Sequence, residues 1–265
     1  MAIMAAETFD IPYEKVRVII ADTSSIGFSM LTGGSRVTFA TGKAVVQACE
    51  EVIATLRARA ANMWSADVSE TEWREGAVHC LSGDKAGAEL TMGQIAAKAG
   101  FSGGPITAEV ALNAQGYLPG FGVHICDTEV DPETGHVTVT RYTVVQDVGT
   151  AIHPDYVEGQ MQGGAAQGIG WALNEGYIYN KGGSMENPGF LDYRMPVCSD
   201  LPMIDTVMIE KANPAHPYGV KGVGEVPIVP PLGAVANSVS RAAGLRLRDL
   251  PMTPDKVYAA MQAKA

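Results

Sequence analysis

The strongest constraint on the fold lies between residues 121 and 149, where FGVHICDTEV and HVTVTRYTVVQDVG flank the pentapeptide DPETG. Both flanking runs are rich in β-branched residues, and Asp131, Pro132 and Gly135 supply turn chemistry between them. The pattern predicts a β-hairpin, with strands over 121–130 and 136–149. Pro154 then marks a helix start, and 155–174 reads as a helix carrying Gly159, Gly163, Gly164, Gly168 and Gly170. Each interior glycine costs a helix about 1 kcal/mol relative to alanine, so this concentration implies close packing or a ligand. A strand near 203–210, a helix near 230–243 and a final helix after Pro254 follow.

Upstream, the apolar run from Val16 to Asp22 predicts a strand, followed by the polar loop DTSSIGFSMLTGGSR. Val45, Val46, Cys49, Val52, Ile53 and Leu56 fall at helical spacing and predict a helix from Gly42 to about Met63. Residues 64–104 carry a weaker pattern, with a short helix at 91–99 and glycine-rich connections. These elements give an α+β outline of mixed sheets with packed helices over residues 1–265, with subdomains at about 1–110 and 111–265.

The chain has 265 residues, 46% hydrophobic and 18% charged, as expected of a folded globular chain. Its formal net charge is −10, and no Lys/Arg stripe with interleaved aromatics occurs, which argues against nucleic-acid binding. No apolar run reaches the roughly 20 residues of a membrane span, and the N-terminus lacks a basic segment ahead of an apolar one. A cytoplasmic chain is expected. Cys49, Cys80, Cys126 and Cys198 are far apart without a CxxC pair, so neither a local zinc or iron–sulfur site nor a disulfide framework is indicated. His124 and His153 have no second ligand at helical or hairpin spacing and read as structural groups.

Three glycine-rich loops could carry chemistry. Gly33-Gly34-Ser35-Arg36 is either a plain turn or a nest of amides able to hold a phosphate before the following helix. Gly163 to Gly170 has glycine spacing loosely like a dinucleotide fingerprint, but within a helix rather than at a strand-to-helix turn, which disfavours a nucleotide-binding domain. Gly222-Val223-Gly224-Glu225 places an acid before Val226-Pro227-Ile228-Val229-Pro230-Pro231. Glu225 is either a surface carboxylate or a general base desolvated on one side by that apolar run, and Lys221 is its charge partner or merely solvated.

Together the blocks GGSR…TGKAVVQACEEV, VVQDVGTAIHPDYVEGQMQGGAAQGIGWALNEG, NPGFLDYRMP and GVKGVGEVPIVPPLGAVANSVSRAAG resemble the molybdenum hydroxylases, the xanthine dehydrogenase and aldehyde oxidase family. The similarity is to the C-terminal half of their molybdopterin-binding large subunit, runs from about residue 5 to 258, and is weakest over 64–104.

The resemblance implies that Glu225 is the catalytic base, taking a proton from a hydroxyl on molybdenum so that its oxygen attacks an electron-poor carbon while hydride passes to a sulfido ligand. It also implies that Gly33, Gly34 and Ser35 contact the pterin, that Gln167 hydrogen-bonds it, and that Gly222 and Gly224 give the backbone clearance. Arg36 stands where the family varies. No protein side chain is expected to ligate the metal. The cofactor would be molybdenum-molybdopterin, as the mononucleotide or the cytosine dinucleotide form.

The first half of the large subunit is absent from this chain. A companion subunit carrying that half is therefore expected, as in nicotinate dehydrogenase, together with [2Fe-2S] and FAD subunits to carry electrons away. The Met start and a C-terminus that reads as complete favour a split gene over a fragment. The small-molecule substrate would be an N-heteroaromatic or an aldehyde, with water as oxygen source. The alternatives are part of a carbon monoxide dehydrogenase large subunit, or a non-catalytic pterin-binding scaffold, against which the retained Glu225 argues.

Overall fold

The computed structural model describes residues 1–20, 22–24 and 29–264 and is an α+β fold with two separate three-stranded sheets. The chain divides into two compact units, one formed by 1–117 with 214–218 and the other by 118–213 with 219–265.

In the first unit, helix α1 (Ala2–Phe9) buries Met4, Ala5 and Ala6 and ends at Asp10 in the left-handed region. Helix α2 (Val37–Trp64) is 28 residues long and begins five residues before the expected Gly42. Phe39, Gly42, Val46, Cys49, Leu56 and Ala60 recur at intervals of three, four or seven residues and form its buried face. Leu56 and Ala60 pack with Val78 and Ile95 in a small core.

An antiparallel sheet follows, with order β1 (Thr71–Arg74), β2 (Ala77–Cys80), β3 (Glu89–Thr91). Glu75 and Gly76 both have positive φ, 52° and 72°, as a two-residue type I′ turn requires. Helix α3 (Met92–Ala97) is capped by Thr91, whose hydroxyl accepts from the Gln94 N–H. The segment 214–218 completes this unit. His216 is buried against Phe39, with ring centroids 5.4 Å apart, and the Tyr218 hydroxyl meets that of Thr8 at 2.8 Å.

The strand expected from Val16 to Asp22 is not formed. Residues 16–20 have no strand partner, and Ile19 and Ile20 are exposed. An apolar run becomes a strand only when another strand meets its backbone groups. Part of the loop read from Asp22 to Arg36 lies outside the described residues.

The second unit contains the predicted hairpin as β4 (Gly122–Val130) and β5 (Val137–Asp147), antiparallel with a bulge at Asp127/Thr128. Asp131 closes the turn by accepting the Glu133 N–H and the Thr134 hydroxyl, both at 2.8 Å, and Gly135 takes φ 75°. From β5 the chain passes through α4 (Pro154–Leu173) to β6 (Ile204–Ile209), which lies parallel to β5. Helices α5 (Pro230–Ala243) and α6 (Pro254–Lys264) complete the unit.

One sheet face presents Tyr142, Val144 and Ile204 to Met161, Ala165 and Ile169 of α4 and to Val235 and Val239 of α5. Alternate positions on the opposite face, including Val123, Ile125 and Val207, are exposed. The glycines of α4 divide into two groups. A methyl on Gly164 would lie 2.5 Å from Pro227 Cγ, and one on Gly168 would lie 2.6 Å from Pro231 Cγ and 2.8 Å from the Ile228 carbonyl. Gly159 and Gly163 face open space.

Candidate functional site

The most elaborately held loop of the second unit is 219–225, which lies against the end of β5. Gly149 adopts φ 70° there, and a side chain on it would meet the Gly219 carbonyl at 2.6 Å and the Lys221 N–H at 2.7 Å. This close approach lets Gly149 pair with Val220 as an isolated bridge, and the Gly219 carbonyl accepts the Thr150 N–H at 3.0 Å. Lys221 Nζ donates to Asp147 Oδ2 at 2.6 Å, with only 5% and 14% of the two side chains exposed. Asp147 Oδ1 accepts the Gly149 N–H at 3.1 Å. The fully buried Gln146 donates from Nε2 to the Val223 carbonyl at 3.3 Å, and its buried Oε1 has no hydrogen-bond partner among the described residues.

Beyond these ties the backbone carries Gly222 and Gly224, both half-buried, to Glu225, which precedes a short 3-10 turn at Val226–Ile228. Pro227 and Pro231 then insert against Gly164 and Gly168 of α4. Glu225 thus projects from a short segment pinned on both sides.

Two expectations are corrected here. The apolar run 226–231 does not desolvate Glu225, which is exposed in this chain, because Pro227 and Pro231 are spent on α4 instead. Lys221 is neither solvated nor the partner of Glu225, since its ammonium is buried on Asp147. Gln146 and Asp147 were not singled out from sequence. The only signal was their place in VVQDVG, just before a glycine that must take positive φ.

Gln167 is exposed on α4, next to the Gly168 that carries Pro231. Gly33, Gly34, Ser35 and Arg36 belong to the first unit, at the N-terminus of α2. Gly34 and Ser35 both have positive φ, 67° and 55°, and Arg36 returns to the right-handed region at the start of α2. The Arg36 guanidinium donates to the Leu31 carbonyl at 3.3 Å.

The histidines behave as structural groups. His153 caps α4, accepting the Tyr156 N–H at 3.4 Å and stacking on the Tyr156 ring at 3.9 Å. His124 Nδ1 lies 2.9 Å from the Tyr142 hydroxyl, and burial pushes its pKa down to about 4. Burial and the nearby Lys43 lower that of His216.

The NPGF stretch lines an open cavity of about 240 Å³ with Tyr177, Met185, Asn187, Phe190 and Tyr193. A hydrogen bond to Glu175 raises Tyr193 to about 12. Among the described residues no group of three or more His, Cys, Asp or Glu could hold a metal ion, the four cysteines are unpaired, and no helix is long and apolar enough to cross a membrane.

The family model described as the molybdopterin cofactor-binding domain matches residues 1–202. A xanthine dehydrogenase molybdenum-binding subunit of Escherichia coli O157:H7 is 33% identical over 261 residues, covering 96% of this chain and 34% of the relative. The gamma subunit of the 6-hydroxypseudooxynicotine dehydrogenase complex of Paenarthrobacter nicotinovorans is 30% identical, covering 99% of this chain and 34% of the relative. Among solved structures, quinoline 2-oxidoreductase from Pseudomonas putida 86 superposes with a TM-score of 0.82 at 27% identity, covering 98% of this chain and 34% of that one. The chain therefore spans about a third of the length of the relatives it matches.

Proposed function

The chain belongs to the molybdopterin cofactor-binding domain family, and from that premise we propose that it is the part of a molybdenum hydroxylase that supplies the general base, Glu225. The observation carrying this reading is the loop itself. An exposed carboxylate follows two glycines and is pinned on one side to β5 and on the other to the glycine face of α4.

Each unit, taken by itself, offers groups suited to a ligand rich in hydrogen-bonding atoms. In the first unit, Gly34, Ser35 and Arg36 lead into the N-terminus of a 28-residue helix, where backbone N–H groups suit an anionic oxygen. In the second unit, Gly222 and Gly224 are half-buried and carry no side chain of their own, and Gln167 is exposed. When bound, molybdenum-molybdopterin supplies a centre that accepts two electrons from the substrate. The role of Glu225 is to take up the proton released as oxygen from water is added to the electron-poor carbon, a task worth roughly 10²–10⁴-fold in rate for a positioned base. Because Glu225 is exposed here, the water exclusion that strengthens such a base must come from whatever covers this loop in the assembly.

The relatives' greater length supports a companion polypeptide carrying the rest of the molybdopterin subunit. Partner subunits with [2Fe-2S] clusters and FAD would take the electrons onward, and the scattered, unpaired cysteines of this chain agree with that division. N-heteroaromatics and aldehydes are the substrate classes proposed, in a cytoplasmic complex.

Purification by a tag on this chain, with its co-purifying partners, tests the reading. Bound molybdenum and pterin are expected, with electron transfer from an N-heteroaromatic or aldehyde to a dye. Glu225→Gln should lower kcat at least about 10²-fold with cofactor content unchanged. Wild-type turnover in that variant would remove Glu225 from the base role.

A further inference from the structure

The Gly222–Gly224 segment poses a mechanical problem, because glycine has the greatest backbone freedom of any residue and two of them precede the one carboxylate whose position matters. The structure meets that freedom with three ties concentrated on four consecutive residues. Val220 is bridged to Gly149, Lys221 is bonded to Asp147, and the Val223 carbonyl is held by Gln146. All three partners come from the last residues of β5 and the turn after it, which are anchored in the sheet by pairing with β6 as far as Ile209.

Stability alone gives no reason for an ion pair at this place. A buried pair contributes little net stability over apolar residues of similar volume, since desolvation of both charges offsets their attraction. The pair is nevertheless almost fully buried, and its 2.6 Å contact fixes one end of the glycine segment. The Gln146 amide adds to this picture. It gives its donor to the Val223 carbonyl while its buried oxygen finds no partner among the described residues, an arrangement that serves the loop rather than the amide. On the far side, Pro227 is wedged against Gly164, so Glu225 lies between a tie two residues before it and a wedge two residues after it.

We infer that the buried Lys221–Asp147 ion pair, assisted by Gln146, is a positioning device that sets the direction and height of the Glu225 carboxylate. The inference rests on the general-base reading of Glu225. The pair acts only through the backbone of 222–224. A shift of about 1 Å in a catalytic group can cost on the order of 10²-fold in rate, so loss of the ties registers in turnover.

The test uses the assembled complex, with Lys221→Met/Asp147→Asn as the main variant. This pair of changes leaves no unpaired buried charge, and the asparagine keeps an acceptor for the Gly149 N–H, so folding is preserved where Lys221→Met alone could fail. Hydrogen–deuterium exchange over peptides spanning 219–226, molybdenum content, kcat, KM and the pH profile of kcat are measured beside Glu225→Gln. Expected are faster exchange across 222–226, unchanged metal content, kcat lowered roughly 10- to 100-fold at nearly constant KM, and an unmoved pH midpoint.

Unchanged exchange, or unchanged kcat in a complex where Glu225→Gln is inactive, overturns the inference. A complex in which Glu225→Gln turns over normally instead sinks the base reading. The exchange measurement then decides alone whether the pair holds the loop.

Discussion

Glu225 carries the chemistry proposed for this chain and is exposed, yet the polar groups that hold its loop, Gln146, Asp147 and Lys221, are largely withdrawn from solvent. Precision at an exposed carboxylate is supplied by buried groups that never meet the substrate. Burial also governs His124. Its imidazole is held near 4, against about 6.5 in an unfolded chain, so between these values the unfolded state binds the extra proton. The stabilisation is complete above about pH 6.5 and is lost as pH falls toward about 4. His216 is shifted the same way. Thermal unfolding between pH 7.5 and 4.5 should show a falling midpoint, and His124→Gln, which keeps a polar partner for Tyr142 without titrating, should flatten that dependence.

At the scale of elements, α4 shows two uses of glycine along one helix. Gly168→Ala would drive a methyl into Pro231 and the Ile228 carbonyl, and a loss of about 1–3 kcal/mol in urea unfolding is expected. Gly163→Ala meets nothing and should raise stability by about 0.5–1 kcal/mol through helix propensity alone. The contrast between the two is the measurement.

This helix, the hairpin of β4 and β5, β6 and α5 were legible in the sequence because their signals are local: turn residues, periodicity, and prolines at helix starts. Strands β1 to β3 were not, since three or four residues are too few to display alternation, although Glu75-Gly76 was a usable turn signal. The false strand at 16–22 shows the converse, an apolar run with no pairing partner. The Gly222–Glu225 loop was recognisable by composition. Its ties were not, because Lys221 meets an acid 74 residues earlier and nothing local to either residue announces the pairing.

For the whole molecule, the open face of the second sheet leaves Phe121, Val123, Ile125 and Val207 in solvent, and Phe190 and Leu191 are exposed nearly in full. Monomers seldom present so much apolar surface without a partner. The isolated chain should therefore self-associate with rising concentration in sedimentation velocity. Ile125→Lys with Val207→Lys should suppress that association while moving the unfolding free energy by no more than about 0.5 kcal/mol for each exposed site.

The route of the chain has a further consequence. The first unit is finished by 214–218, which bring His216 against Phe39 and Tyr218 to Thr8. On a translating ribosome those five residues emerge only after the hairpin, α4 and β6 have been made. The N-terminal unit must wait, incompletely closed, for a plug written late in the message. A nascent chain paused before residue 214 should be open to protease around Phe39 and become protected once synthesis passes Tyr218.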